Sequence, residues 1–160
     1  GTITLSFDTT RALLRDILDS LASNGLSKFV VLSGHAGSAH MTALKLACEE
    51  VVKKRGSRIM LLTDYDLAKT FPVSLEGDGH GGLLETSRML HLAPDLVRTP
   101  KKKGRFLDQG YMVVENPEKC YPQGFVGDPT KASAELGERI NDHIIKELSR
   151  LIRKNFGERE

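Results

Sequence analysis

Tryptophan is absent from this chain of 160 residues, and cysteine occurs only twice. Two thiols cannot build the framework of bridges that stabilises small secreted domains. Cys48 falls on the apolar side of a helical pattern, where a thiol behaves as a small hydrophobe, so a reducing, cytoplasmic setting is the expectation. Long hydrophobic runs are missing as well. Apolar stretches such as 29–32 and 59–62 fall far short of the ~20 residues that span a bilayer, so a spanning helix is excluded and no membrane partner is expected. Nor is there an excess of one charge. Twenty-three Lys and Arg against 21 Asp and Glu leave a formal net charge of +2, too little and too evenly spread to nominate nucleic acid as a partner. The first ten residues hold no basic segment followed by an apolar run, so no secretory signal is read there. Repeats, low-complexity segments and linkers are also lacking, which leaves one globular domain over 1–160. The chain opens on Gly1 without a methionine, and the expectation is a domain without its N-terminal portion.

What is present is an alternation of helix and strand patterns. Leu13, Leu14, Ile17, Leu18 and Leu21 recur at the spacing of one helical face, with Ser6 or Asp8 as N-cap and Asn24-Gly25 as stop. Residues 29–32 then read as a strand covered on both faces. A second helical pattern, Met41, Leu44, Cys48, Val51 and Val52, runs to Arg55-Gly56, and residues 59–62 repeat the buried-strand pattern. Such alternation implies parallel strands with right-handed crossovers, hence a three-layer α/β/α fold with a mainly parallel sheet, whose sites gather at the C-terminal ends of the strands. Residues 63–82 read as irregular and 83–91 as a short helix. Extended loops follow, with one or two short strands near 111–114. Asp128-Pro129 reads as the start of a last helix reaching Phe156.

Two loops carry chemistry. Ser33-Gly34-His35-Ala36-Gly37-Ser38 lies between a strand and a helix. It matches neither a dinucleotide nor a P-loop fingerprint, and it lacks the central serine of a nucleophile elbow. A histidine between glycines at a strand end suits a metal ligand or an acid/base group, and equally a helix cap. His40 is five residues further on, off the i, i+4 spacing that puts two ligands on one helical face. In the second loop, Asp78-Gly79-His80-Gly81-Gly82, an imidazole precedes the carboxylate of Glu85. The helix dipole would account for a first-turn glutamate, but its apolar neighbours call for a cation or a set of donors. Asp78 could orient His80, bind a substrate amine or cap the loop. Lys101, Lys102 and Lys103 read as a solvated run that could also reach a substrate phosphate.

Taken in order, G-H-x-G (34–37), D-x-H-x-G-x-x-E-T-S-x-M-L (78–90) and G-x-x-G-D-P-x-x-A-x-x-E-x-G-E (124–138) resemble the creatininase family of metal-dependent amidohydrolases. The resemblance implies two divalent metals per site, zinc or manganese and in some members iron. They are bridged by a water or hydroxide that attacks the C–N bond of a small amide, a cyclic one such as creatinine or the formamide of a pyrimidine nucleotide. It implies metal-ligand roles for His35 and Glu85, proton transfer by His80, a substrate contact at Asp78 and a homo-oligomer. A non-catalytic homologue acting as a binding or assembly module is the alternative. The family's other ligands, an E-x-H segment and a following Asp, have no match in these residues and are expected upstream of Gly1. Asp64, Asp66 and Asp78 are the carboxylates near strand ends that could substitute. Ser33 and Ser38 replace asparagines usual in the family, and Gly37 stands where some members have a glutamate ligand.

Overall fold

The computed structural model describes residues 3–98 and 102–157, in two compact units. Lys101 of the basic run and the opening Gly1-Thr2 lie outside the described residues. Gly1–Asp66 with Ser149–Glu160 form the first unit, and Leu67–Leu148 the second.

The first unit begins with α1 (Phe7–Ser23), whose N-cap Ser6 accepts the Thr9 N–H at 3.1 Å. Strand β1 (Lys28–Ser33), helix α2 (Ser38–Arg55) and strand β2 (Arg58–Thr63) follow, and β1 and β2 pair in parallel from Lys28–Arg58 to Ser33–Thr63. This is the α/β architecture with a parallel sheet that the alternation predicts. Leu18, Phe29, Cys48 and Val51 form the core, with Leu14, Ala22, Val31, Ile59 and Leu61 against it. The expected apolar face of α1 is thereby split: Leu14, Leu18 and Ala22, four apart, face the core, whereas Leu13, Ile17 and Leu21 are exposed. The strands are not covered evenly on both faces either. On the side away from the core, the last turns of α5 (Ala134–Phe156) reach only part of the sheet. Asn155 contacts the Met60 sulfur, Arg58 donates to the Asn155 carbonyl and lies over the Phe156 ring, and Lys28 donates to the Phe156 carbonyl at 2.8 Å. Val30 and Leu32 remain 38% and 46% exposed on β1. Asp19 ties α1 to α2 through Lys54 (2.9 Å) and Arg55 (2.6 Å), which holds its carboxyl well below the ordinary value of 3.8, the Arg55 bond first and the Lys54 bond second.

Residues 63–82 are not irregular throughout. Asp66 accepts both the Thr63 N–H (3.0 Å) and the Thr63 hydroxyl (2.7 Å), while the Thr63 Oγ1 accepts the Asp66 N–H (3.0 Å). That reciprocal cap starts the short helix α3 (Asp64–Ala68) straight from the end of β2. The cap also occupies one of the carboxylates that could have substituted as a ligand.

In the second unit, α4 (Leu83–Leu92) packs where Leu84, Ser87 and Ile140 are fully buried. A Cβ on Gly137 would lie 1.9 Å from the Ser87 carbonyl oxygen, so the bare backbone of α5 rests directly on that of α4. The strands expected near 111–114 are absent. Tyr111, Met112 and Val113 are β-prone but exposed, and among the described residues no strand pairs with them. The last helix also starts later than expected. Asp128 caps only a single 3-10 turn, Pro129–Lys131, extended backbone at Ala132 (ψ 145°) ends it, and Ser133 accepts the Leu136 N–H at 3.1 Å to begin α5. Among the described basic residues, Lys103 pairs with Asp128 at 3.1 Å. No helix of the described residues is long and apolar enough to cross a membrane.

Two outcomes follow from this packing. Gly137→Ala drives a methyl into rigid backbone and lowers stability by about 3 kcal/mol, whereas Gly34→Ala, whose Cβ meets nothing within 4 Å, stays within about 0.5 kcal/mol of the parent in urea unfolding. The Asp19 carboxyl is depressed in the folded state, so its contribution is present above the ordinary carboxylate value and is lost as pH falls through and below it. Acid titrations of melting temperature therefore flatten in Asp19→Asn, and added salt shrinks the difference between the two proteins.

Candidate active-site loops

His35 stands just beyond the end of β1, where the alternating pattern places it, and its ring is exposed. Ser33, the last residue of β1, is buried (7% exposed) and directs the turn: its hydroxyl donates to the His35 carbonyl (2.8 Å) and accepts the His35 N–H (3.2 Å). A Cβ on Gly37 would fall 2.4 Å from His35 Nε2, so the imidazole occupies the space that a side chain at 37 would need. His40, on the first turn of α2, places its Nε2 3.1 Å from the Ser33 Oγ, and its ring meets His35 edge to face at 5.1 Å between centroids. Helical spacing misses this contact because His35 precedes the helix, which begins at Ser38.

The second loop belongs to the second unit. His80 is exposed, and its Nδ1 lies 3.5 Å from Glu85 Oε2, which also accepts the Gly81 N–H at 2.6 Å. Glu85 thus both folds the loop back and faces the imidazole. Asp78 caps α4: Oδ1 accepts from Leu83 N (2.6 Å) and Oδ2 from Leu84 N (3.1 Å). A Cβ on Gly82 or Gly127 would come 2.0 or 2.4 Å from its Oδ1, so two glycines make the room for this carboxylate. Burial pushes the Asp78 carboxyl above its ordinary value, against the opposing pull of the Leu84 and Leu83 N–H groups and with the Glu85 charge adding to the rise. The third motif closes the loop from outside. Val126 N donates to the His80 carbonyl (2.8 Å), and Gly79 N donates to the Val126 carbonyl (3.1 Å). Residues 124–129 are therefore a backbone wall for His80, a role not visible in their types.

Beside Glu85 an open pocket of about 280 Å³ is lined by Gly81, Thr86, Met89, Leu96, Val97 and Arg98. As donors, an exposed imidazole at His35 and a half-exposed carboxylate at Glu85 are of the kinds that zinc and manganese accept. Each donor is thus of a kind that fits a divalent metal, and among the described residues no group of three or more His, Cys, Asp or Glu side chains assembles around either.

Comparison with known proteins places these loops in context. The chain is 28% identical to the creatinine amidohydrolase of Pseudomonas putida, an alignment covering 98% of this chain and 66% of that one. It is also 28% identical to the mycofactocin precursor peptide peptidase of Mycobacterium ulcerans, over 96% of this chain and 59% of the relative. It therefore spans just under two thirds, or less, of the length of these relatives. Among solved structures it resembles a creatininase variant in a Zn–Zn form, with TM-score 0.80 and 25% identity over 99% of this chain and 67% of the other. The model of the family described as creatinine amidohydrolase matches residues 1–152, and on that extent of agreement, with its two histidine loops at a strand end and a helix start, the chain belongs to the creatininase family.

Proposed function

We propose that this chain carries part of the catalytic apparatus of a metal-dependent amidohydrolase acting on a small amide. The observation that carries the reading is the His80–Glu85 pair at 3.5 Å, exposed beside a pocket of about 280 Å³. A bound divalent metal supplies Lewis-acid polarisation of the carbonyl and lowers the pKa of water toward neutrality. His35 in the first unit and Glu85 in the second are each assigned a metal-ligand role. Glu85 uses one oxygen on the Gly81 N–H and His80, an arrangement that keeps its carboxylate on the loop side of α4.

His80 is assigned the proton transfer. Its Nδ1 faces a carboxylate, which favours the proton on that nitrogen and leaves Nε2 outward. Hydrolysis breaks the C–N bond, adds the hydroxyl of water to the carbonyl carbon and requires a proton on the leaving nitrogen. A histidine that takes the proton from water and gives it to nitrogen balances that exchange. Asp78, whose two oxygens each accept a backbone N–H of α4, is assigned to positioning beside the substrate contact weighed from sequence. The pocket's volume supports a small substrate, either a cyclic amide such as creatinine or a formamidopyrimidine nucleotide, and the peptidase among the relatives adds a peptide bond to the candidates. We place the protein in the cytoplasm as a homo-oligomer, on the free thiols of Cys48 and Cys120 and the outward Val30 and Leu32. A second reading, a homologue without turnover that serves as a binding or assembly module, is favoured by the lack of a three-ligand group among the described residues.

In the complete protein, Glu85→Gln lowers metal content and turnover together, the metal affinity by about 10- to 100-fold. His80→Asn lowers turnover by at least about 100-fold with metal retained. Metal analysis beside an amide-hydrolysis assay checks both, and equal metal loss in the two variants would make His80 a ligand. Given alone, the 160 residues are expected to bind zinc or manganese weakly and to show no turnover. Tight stoichiometric metal with hydrolysis would mean that the site is complete within them.

A further inference from the structure

We propose that His40 is a positioning residue for His35, acting through the Ser33 hydroxyl. The inference rests on the reading of His35 as a metal ligand, and it assigns a role to a histidine that the loop motif does not include.

The hydrogen-bond accounting at Ser33 carries the argument. A serine hydroxyl has one hydrogen to donate and two lone pairs to accept with. The hydrogen goes to the His35 carbonyl at 2.8 Å, and one lone pair takes the His35 N–H at 3.2 Å. The remaining lone pair faces His40 Nε2 at 3.1 Å, so that nitrogen must carry a hydrogen. Every position on the buried hydroxyl is then satisfied, which is what burial to 7% exposure demands. His40 fixes the rotor of Ser33, and Ser33 in turn grips the backbone of His35 at both its N–H and its C=O. The His40 ring also meets the His35 ring edge to face, restricting the imidazole, which already fills the space a side chain at Gly37 would need. A ligand imidazole whose backbone and ring are both restrained has less freedom to lose on binding metal.

The test uses the complete protein with His40→Ala, His40→Gln, Ser33→Ala and the His40→Ala/Ser33→Ala double variant. Glutamine places an amide N–H the same number of bonds from the backbone as Nε2. In the metal-free protein, imidazole nitrogen spectra are expected to show His40 with its hydrogen on Nε2, and the His35 signals to shift in His40→Ala and return in His40→Gln. Zinc affinity, measured by chelator competition, is expected to fall about 10-fold in His40→Ala and in Ser33→Ala, no further in the double variant, and to recover in His40→Gln. His35 signals unmoved by His40→Ala overturn the proposal whatever the metal does. Loss in His40→Ala equal to that in His35→Ala, without rescue by glutamine, also overturns it and makes His40 a ligand. Zinc affinity unchanged in His35→Ala would sink the metal reading of His35 instead, leaving the spectra of the metal-free protein to decide whether His40 positions it.

Discussion

The half-buried carboxylate of Asp78 is the interaction on which the second loop depends. A helix begins with backbone N–H groups that have no partner inside it, and α4 follows glycine at 82, which offers no side chain to cap it. Asp78 reaches forward and takes two of those donors at once. The favourable terms are two charge-assisted hydrogen bonds and the helix dipole, worth about 1–2 kcal/mol together at such a site. Desolvation opposes them strongly enough to raise the carboxyl's pKa. That cost is accepted in a pocket where a side chain at Gly82 or Gly127 would overlap the carboxylate. Gly127 also has φ +113°, which ordinary side chains resist. Glycine is therefore required there twice over, for its backbone angle and for the space above it.

From that fixed start, the geometry of His80 and Glu85 follows. Glu85 lies in the first turn of α4, where a carboxylate is favoured by the dipole and can fold back to the Gly81 N–H. The loop between is closed by paired hydrogen bonds with Val126. In this way the D-x-H-x-G-x-x-E and G-x-x-G-D-P segments become one unit of structure: the first carries the proposed chemistry and the second supplies a wall of backbone that fixes it. The glycines, which look dispensable for chemistry, set how closely that wall approaches.

The first unit solves a related problem by different means. A strand that ends in a buried polar residue must satisfy it, and Ser33 does so by binding the backbone of the next loop and the side chain of His40. The loop that follows a parallel strand in an α/β fold opens toward the crevice where ligands gather, and here that loop carries an exposed imidazole.

Periodicity made the first half of the fold legible. Helical and strand spacing locate α1, β1, α2 and β2 to within a residue or two, because burial against one neighbour repeats along each element. The same rule makes α4 and the body of α5 legible, and it fails between residues 92 and 134, where short turns are held by individual hydrogen bonds that no repeat announces. Tyr111, Met112 and Val113 have strand-forming side chains, yet a strand needs a partner edge, and partner edges are set by tertiary structure. Of the proposed site, His35, His80, Glu85 and Asp78 were singled out by the motifs alone, since the proposed chemistry calls for particular atoms. The pairing of His40 with Ser33, the capping of α4 by Asp78 and the wall at Val126 were decided only by tertiary structure: each joins groups whose approach depends on where the chain turns, and a hydrogen bond forms only when that turn brings donor and acceptor within about 3 Å.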